Sequence, residues 1–165
     1  HIALYDLVVR LFKEHLAHTP CRILGINRFV QFDYESEEIR NKIGKILAPP
    51  DAWGDWSAPL QEETYSKTAP NDPNHGGMER LIMRQNVFGN GYRGHIRADL
   101  RPTLKSDSTV FIEINDQYEP DNPSIGALDT ISLLEQHYNN SYIRSATIIN
   151  HLMKMQELVK STNGK

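Results

Sequence analysis

The stretch ERLIMRQNVFGNGYRGHIRADLRPTLKSDSTVFIEINDQY, residues 79–118, decides the fold. It divides into strands at 79–88, 91–101 and 108–118, rich in β-branched and aromatic residues and separated by turn chemistry. Gly89-Asn90-Gly91 is a hairpin signal, and LKSDS after Pro102 parts the second strand from the third. Alternation is clean from Tyr92 to Arg101. Tyr92, Ile96, Ala98 and Leu100 take one face, while Arg93, His95, Arg97, Asp99 and Arg101 take the other. Val110, Ile112 and Ile114 supply the core face of the third strand. A further strand is expected over 61–68, set off by NDPNHGG.

Upstream, RILGINRFVQFDY (22–34) reads as a long strand. Leu24, Ile26, Val30 and Phe32 share a face broken only by Arg28, and Ile23, Gly25, Asn27, Phe29 and Gln31 make the other. A strand apolar on both sides is expected to be central, or covered on its second face by a partner. Helical spacing over 2–17 puts Leu4, Leu7, Val8, Leu11 and Phe12 on one side, with Thr19-Pro20 as the stop. Ser36 is a natural N-cap, followed by Glu37 and Glu38 in the first turn. Ile39, Ile43, Ile46 and Leu47 form a buried stripe before Pro49-Pro50. Trp53 and Trp56 are expected to seal a core edge.

Downstream, Asn122 caps a helix with Pro123 at its first position, running through Ile125, Leu128, Ile131 and Leu134. Asn139-Asn140-Ser141 predicts a break or kink. A last helix carries Ile148, Leu152, Met155 and Val159 to about Lys160. The order α-β-α-β-β-β-β-α-α predicts an α+β fold, an antiparallel sheet of about five strands with helices on one face. By analogy this is the arrangement of TBP-like and helix-grip sheets.

Composition agrees with one globular domain over 1–165, at 39% hydrophobic and 24% charged residues. Disordered, collagenous and rod-like classes do not fit. No apolar run is long enough to span a membrane. A single cysteine, Cys21, excludes an internal disulfide framework and Cys-rich zinc sites, and points to a reducing, cytoplasmic setting. The start at His1 lacks a basic region, apolar stretch and cleavage site, so no signal peptide is expected.

HTPCRILGINRFVQF (18–32), SEEIRNKIGKILAPPDAW (36–53), GYRGHIRADLRP (91–102) and VFIEINDQYE (110–119) together resemble an uncharacterised bacterial protein family. The resemblance implies a bacterial cytoplasmic α+β protein with further strands ahead of the first helix. It carries no activity and no catalytic residue.

Residues 78–105 bear a net +4, against −3 ahead of them and −4 behind, within a whole-chain net of −3. Arg80, Arg84, Arg93, His95, Arg97 and Arg101 are therefore the candidate ligand- or phosphate-binding residues, because guanidinium forks match phosphate oxygens. The plainer reading is arginines and acids alternating on the wet side of a sheet, and the acidic overall balance favours it. His75 and His95 lack any ligand spacing, as do His15, His18, His137 and His151. No metal or cofactor is expected. EINDQYEPD lacks the EF-hand pattern and reads as a turn capping the next helix. No GxSxG, Walker or strand–GxGxxG–helix motif occurs.

The expected function is a non-enzymatic binding or assembly module that offers one sheet face to a protein partner or second subunit. Nucleic-acid or nucleotide binding through the hairpin 80–101 is the alternative. An enzyme whose site forms only in three dimensions is the third reading.

Overall fold

The computed structural model describes residues 2–49, 52, 78–103, 106–122 and 126–162. They form α1 (Ile2–Glu14), β1 (Leu24–Asp33), α2 (Glu37–Leu47), β2 (Leu81–Gly89), β3 (Tyr92–Thr103), β4 (Ser106–Pro120) and α3 (Leu128–Thr162). The strands make a four-stranded sheet in the order β1-β4-β3-β2. Cross-strand side-chain pairs show the direction of pairing. Asp33 meets Thr109 while Asn27 meets Asn115, and Arg93 meets Glu119 while Arg101 meets Phe111. As one number rises the other falls, so these neighbours are antiparallel. The fold is α+β. The strand expected at 61–68, with Trp53, Trp56 and His75, lies outside the described residues.

The elements divide between two compact units. The first comprises His1–Phe29, Ile82–Ala98 and Glu113–Ile148; the second comprises Val30–Leu81, Asp99–Ile112 and Ile149–Lys165.

In the first unit, Ala127, Ile131 and Leu134 form a buried cluster flanked by Tyr5, Val8, Val9, Phe12, Leu24 and Ile26. The buried face of α1 is thus rotated from the expected one, and Leu4, Leu7 and Leu11 are exposed. The Tyr5 ring sets this rotation by packing on Tyr138, with centroids 4.6 Å apart. Gly126 lets α3 enter beside the chain leaving α1. The Ala127 amide donates to the Ala17 carbonyl at 3.0 Å, and a Cβ on Gly126 would fall on that same oxygen. The helix starts at Leu128, later than the cap expected at Asn122.

Among the described residues β1 is an edge strand, not a central one, because it pairs only with β4. Its even residues are half-buried, while Gly25, Asn27 and Phe29 are exposed. Arg28, the apparent fault in the apolar face, is used there. Its Nη1 donates to the Ser145 hydroxyl at 3.2 Å and the Tyr142 carbonyl at 3.4 Å, and its guanidinium lies 4.8 Å from the Tyr142 ring centroid. The aliphatic stem covers the sheet while the head caps polar groups on α3. Asn90-Gly91 closes the expected β2–β3 hairpin, with Gly91 at φ 80°, a conformation that favours glycine.

In the second unit, Ser36 caps α2 as expected, its hydroxyl accepting from the Ile39 amide at 3.2 Å. The buried stripe is Arg40, Ile43 and Gly44, and Ile46 is exposed. Arg40 can enter because Glu37 and Asn41 accept its N–H groups locally. Tyr34 donates to the Leu152 carbonyl at 3.0 Å, and burial pushes its pKa up to about 12. Ile149, Leu152, Met155 and Val159 give α3 its buried stripe here.

The break expected at residues 139–141 is absent, and α3 runs unbroken from Leu128 to Thr162. Asn139 and Asn140 are exposed, so their amides do not compete for the helix backbone. Ser141 and Ser145 are buried, four residues apart. None of the three helices is long and apolar enough to cross a membrane.

Candidate functional site

Within each unit strand alternation puts the candidates on the outward side of the strands, but it gives them different neighbours. In the second unit, Arg80 holds Asp99 by a two-point fork at 3.0 and 2.6 Å. Asp99 is buried, and Arg101 approaches the same carboxylate at 3.8 Å while lying 4.9 Å from the centroid of the Phe111 ring. In the first unit, Arg93 forks onto Glu119 at 3.2 and 3.1 Å. Arg80, Arg93 and Arg101 are therefore tied to carboxylates. Arg84 and Arg97 lie within charge range of His95 in the first unit. Partial burial and then the charges of Arg84 and Arg97 hold the His95 imidazole below its usual pKa. Arg84 is exposed.

Among the described residues β2 is the other edge of the sheet, and its apolar residues are poorly covered. Ile82 is 46% exposed, Met83 63% and Phe88 78%. The two-residue Asn90-Gly91 turn sets Phe88 opposite Arg93, so alternation places Ile82, Arg84, Asn86 and Phe88 on the outer face of the first unit, with Met83, Gln85 and Val87 pointing the opposite way. Phe29 on β1 is a further exposed ring on the outer face of the first unit.

No family model, no curated protein and no solved structure matches this chain.

The inner side of the first unit holds a buried polar cluster that linear reading did not find. Asp116, expected in a turn, lies on β4 with 0% exposure. Its Oδ2 accepts from Arg144 on α3 and, at 3.4 Å, from the Tyr118 hydroxyl; its Oδ1 has no partner. The Tyr118 ring stacks on His137 at 4.4 Å and 10°, and Tyr92 meets both rings edge-on. His137 is buried with Nε2 unpartnered. Burial, then the Arg144 charge, lowers its pKa against the opposing pull of Asp116. The missed signal was β4 alternation itself, since Asp116 and Tyr118 continue the parity of Val110, Ile112 and Ile114. No group of three or more His, Cys, Asp or Glu residues suited to a metal occurs among the described residues.

A small cleft of about 60 Å³ lies nearby in the same unit, lined by Asn27, Arg28, Tyr138, Ser141 and Tyr142 among others. It has room for water rather than for an organic substrate.

Proposed function

We propose that this chain is a cytoplasmic, non-enzymatic binding or assembly module that presents the β2 end of its outer sheet face to a protein partner or second subunit. The observation that carries the reading is the exposure of Ile82, Met83 and Phe88 along an edge strand. A long apolar edge in a lone chain invites pairing with another chain, and natural sheets ordinarily blunt such edges. The first unit adds Phe29 on the same outer face. Its buried His–Asp–Tyr–Arg cluster supports a structural role over a catalytic one, because a fully buried carboxylate and a ring-stacked imidazole offer a substrate no approach. Native mass spectrometry of the full-length protein purified from its own cells tests the reading. A mass above the monomer, lost in the Phe88→Ser variant, is expected; a bare monomer would overturn it.

Nucleic-acid or nucleotide binding is the second reading, favoured by the Arg84–His95–Arg97 group. It predicts affinity that falls steeply with salt and is abolished by Ala at Arg84, Arg93 and Arg97 together. The carboxylates on Arg80, Arg93 and Arg101 reduce the charge available to phosphates, which supports the assembly reading instead.

A further inference from the structure

We infer that β2 pairs edge to edge with β2 of a second copy of this chain, antiparallel and centred on Gln85. The inference rests on the assembly reading above and names its partner. Its basis is the self-complementarity of the exposed edge, Ile82-Met83-Arg84-Gln85-Asn86-Val87-Phe88.

A two-fold axis normal to the sheet keeps the outer faces of both copies on one side. Opposite residues must then point to the same face, so the register must be centred on a residue and not between two. Centring on Gln85 sets Ile82 against Phe88 and Met83 against Val87, apolar on apolar in each half of the interface. It sets Arg84 against the neutral amide of Asn86, and Gln85 against itself. Centring on Arg84 would put two guanidiniums directly opposite each other, which is destabilising. Centring on Asn86 would put Arg84 against Phe88 and Gln85 against Val87, and would leave Ile82 unmatched. The Gln85 register alone of the three matches every side chain by polarity.

The exposed rings and thioether then gain cross-strand neighbours on both faces, Ile82 and Phe88 outside, Met83 and Val87 inside. The two Arg84 groups sit diagonally across the axis, each in charge range of its own His95. Their repulsion is screened by salt. Self-association should therefore strengthen as salt rises, the opposite sign from phosphate binding.

The test uses the full chain with Gln85→Cys, mildly oxidised and run without reductant, beside Arg84→Cys, Asn86→Cys and the parent, whose Cys21 is the background. Gln85 and its neighbours are exposed, so these variants keep the fold. Cross-linking to a dimer most completely at 85 is expected. In sedimentation equilibrium, Asn86→Arg should weaken dimerisation about tenfold by opposing Arg84 in both halves, and Asn86→Asp should tighten it by a similar factor. Cross-linking that peaks at 84 or 86, or a dimer indifferent to Asn86→Arg, would overturn the inference and leave the assembly reading standing. A monomer at every concentration that binds no other protein would overturn both.

Discussion

Replacing Arg144 by Met should destabilise this protein more than any other single change to the buried cluster of the first unit. The Asp116 carboxylate has 0% exposure, and among the described residues the Arg144 guanidinium is its only charged partner. Taking Arg144 away leaves Tyr118, at 3.4 Å, to satisfy one oxygen, while Oδ1 stays unpartnered. An uncompensated buried charge of this kind costs about 3–5 kcal/mol. The reverse deletion differs. In Asp116→Val the arginine is orphaned, but its side chain is already 34% exposed and can carry its charge out to water. That variant should lose only about 1–2 kcal/mol, mostly the unmade bond to Tyr118 and imperfect packing.

Combining Asp116→Val with Arg144→Met removes charge and counter-charge together. Apolar replacement of a whole buried pair is often neutral, so the double variant should return to within about 1 kcal/mol of the parent. Urea unfolding at pH 7, followed by circular dichroism, reads all of these. With a slope of about 2 kcal/mol per molar urea, Arg144→Met should lower the midpoint by about 1.5–2.5 M, and the double variant should recover most of it. Equal losses in the two single variants, or additive loss in the double, would refute the claim that Asp116 is the trapped partner.

Acidification should weaken the fold through His137. Its imidazole is held neutral by burial and by Arg144, and an unfolded histidine takes up a proton near pH 6.5. The unfolded state then binds more protons, so this contribution is complete above pH 6.5 and is lost as pH falls below it. His95 adds to the same trend. His137→Phe, which keeps a ring on Tyr118 and removes the titrating group, should flatten the melting temperature between pH 7.5 and 5.5. An unchanged slope would place the loss elsewhere. Gly126→Ala should lower the melting temperature by about 3–10 °C, since its methyl would displace the Ala17 carbonyl that receives the Ala127 amide. A melting temperature equal to the parent's would mean that α3 can enter without that close approach.

The strands of residues 79–118, the Asn90-Gly91 hairpin and the Ser36 cap were legible because each depends on local chemistry. A two-residue period, a left-handed glycine and a hydroxyl three residues before an amide are all written in neighbouring positions. What misled was tertiary in origin. Asn139 and Asn140 break helices only when their amides turn onto the backbone, and here both face solvent, on a helix already held by Ser141 and Ser145. Leu4, Leu7 and Leu11 score as a core stripe by spacing, but the Tyr5–Tyr138 contact turns α1 away from them. The two-sided apolar character of β1 pointed to a central position or to a second face covered by a partner, whereas among the described residues β1 pairs with β4, with Arg28 over α3 on one side and Phe29 58% exposed on the other. The five candidate arginines and His95 were legible as alternating, outward-pointing positions, yet the pairing of Arg80, Arg93 and Arg101 with Asp99 and Glu119 depends on strand register, which composition does not encode.

That difference in pairing shifts the weight of the functional argument. On the inner side, polar groups are spent on one another: Arg28 on α3 carbonyl and hydroxyl oxygens, Arg144 on Asp116. On the outer side, Arg80, Arg93 and Arg101 are likewise engaged with carboxylates, so most of the guanidinium charge that made the hairpin resemble a phosphate cradle is already neutralised. A chain selected to hold a polyanion has little reason to place a buried Asp99 under its arginines, because each such pair subtracts from the field a phosphate would meet. A chain selected to meet another protein does have reason to keep Ile82, Met83 and Phe88 exposed on an edge whose only exposed cation, Arg84, stands opposite an amide in the self-paired register. The sign of the salt response separates these two accounts in one titration: strengthening with salt belongs to the paired edge, and weakening belongs to the phosphate face.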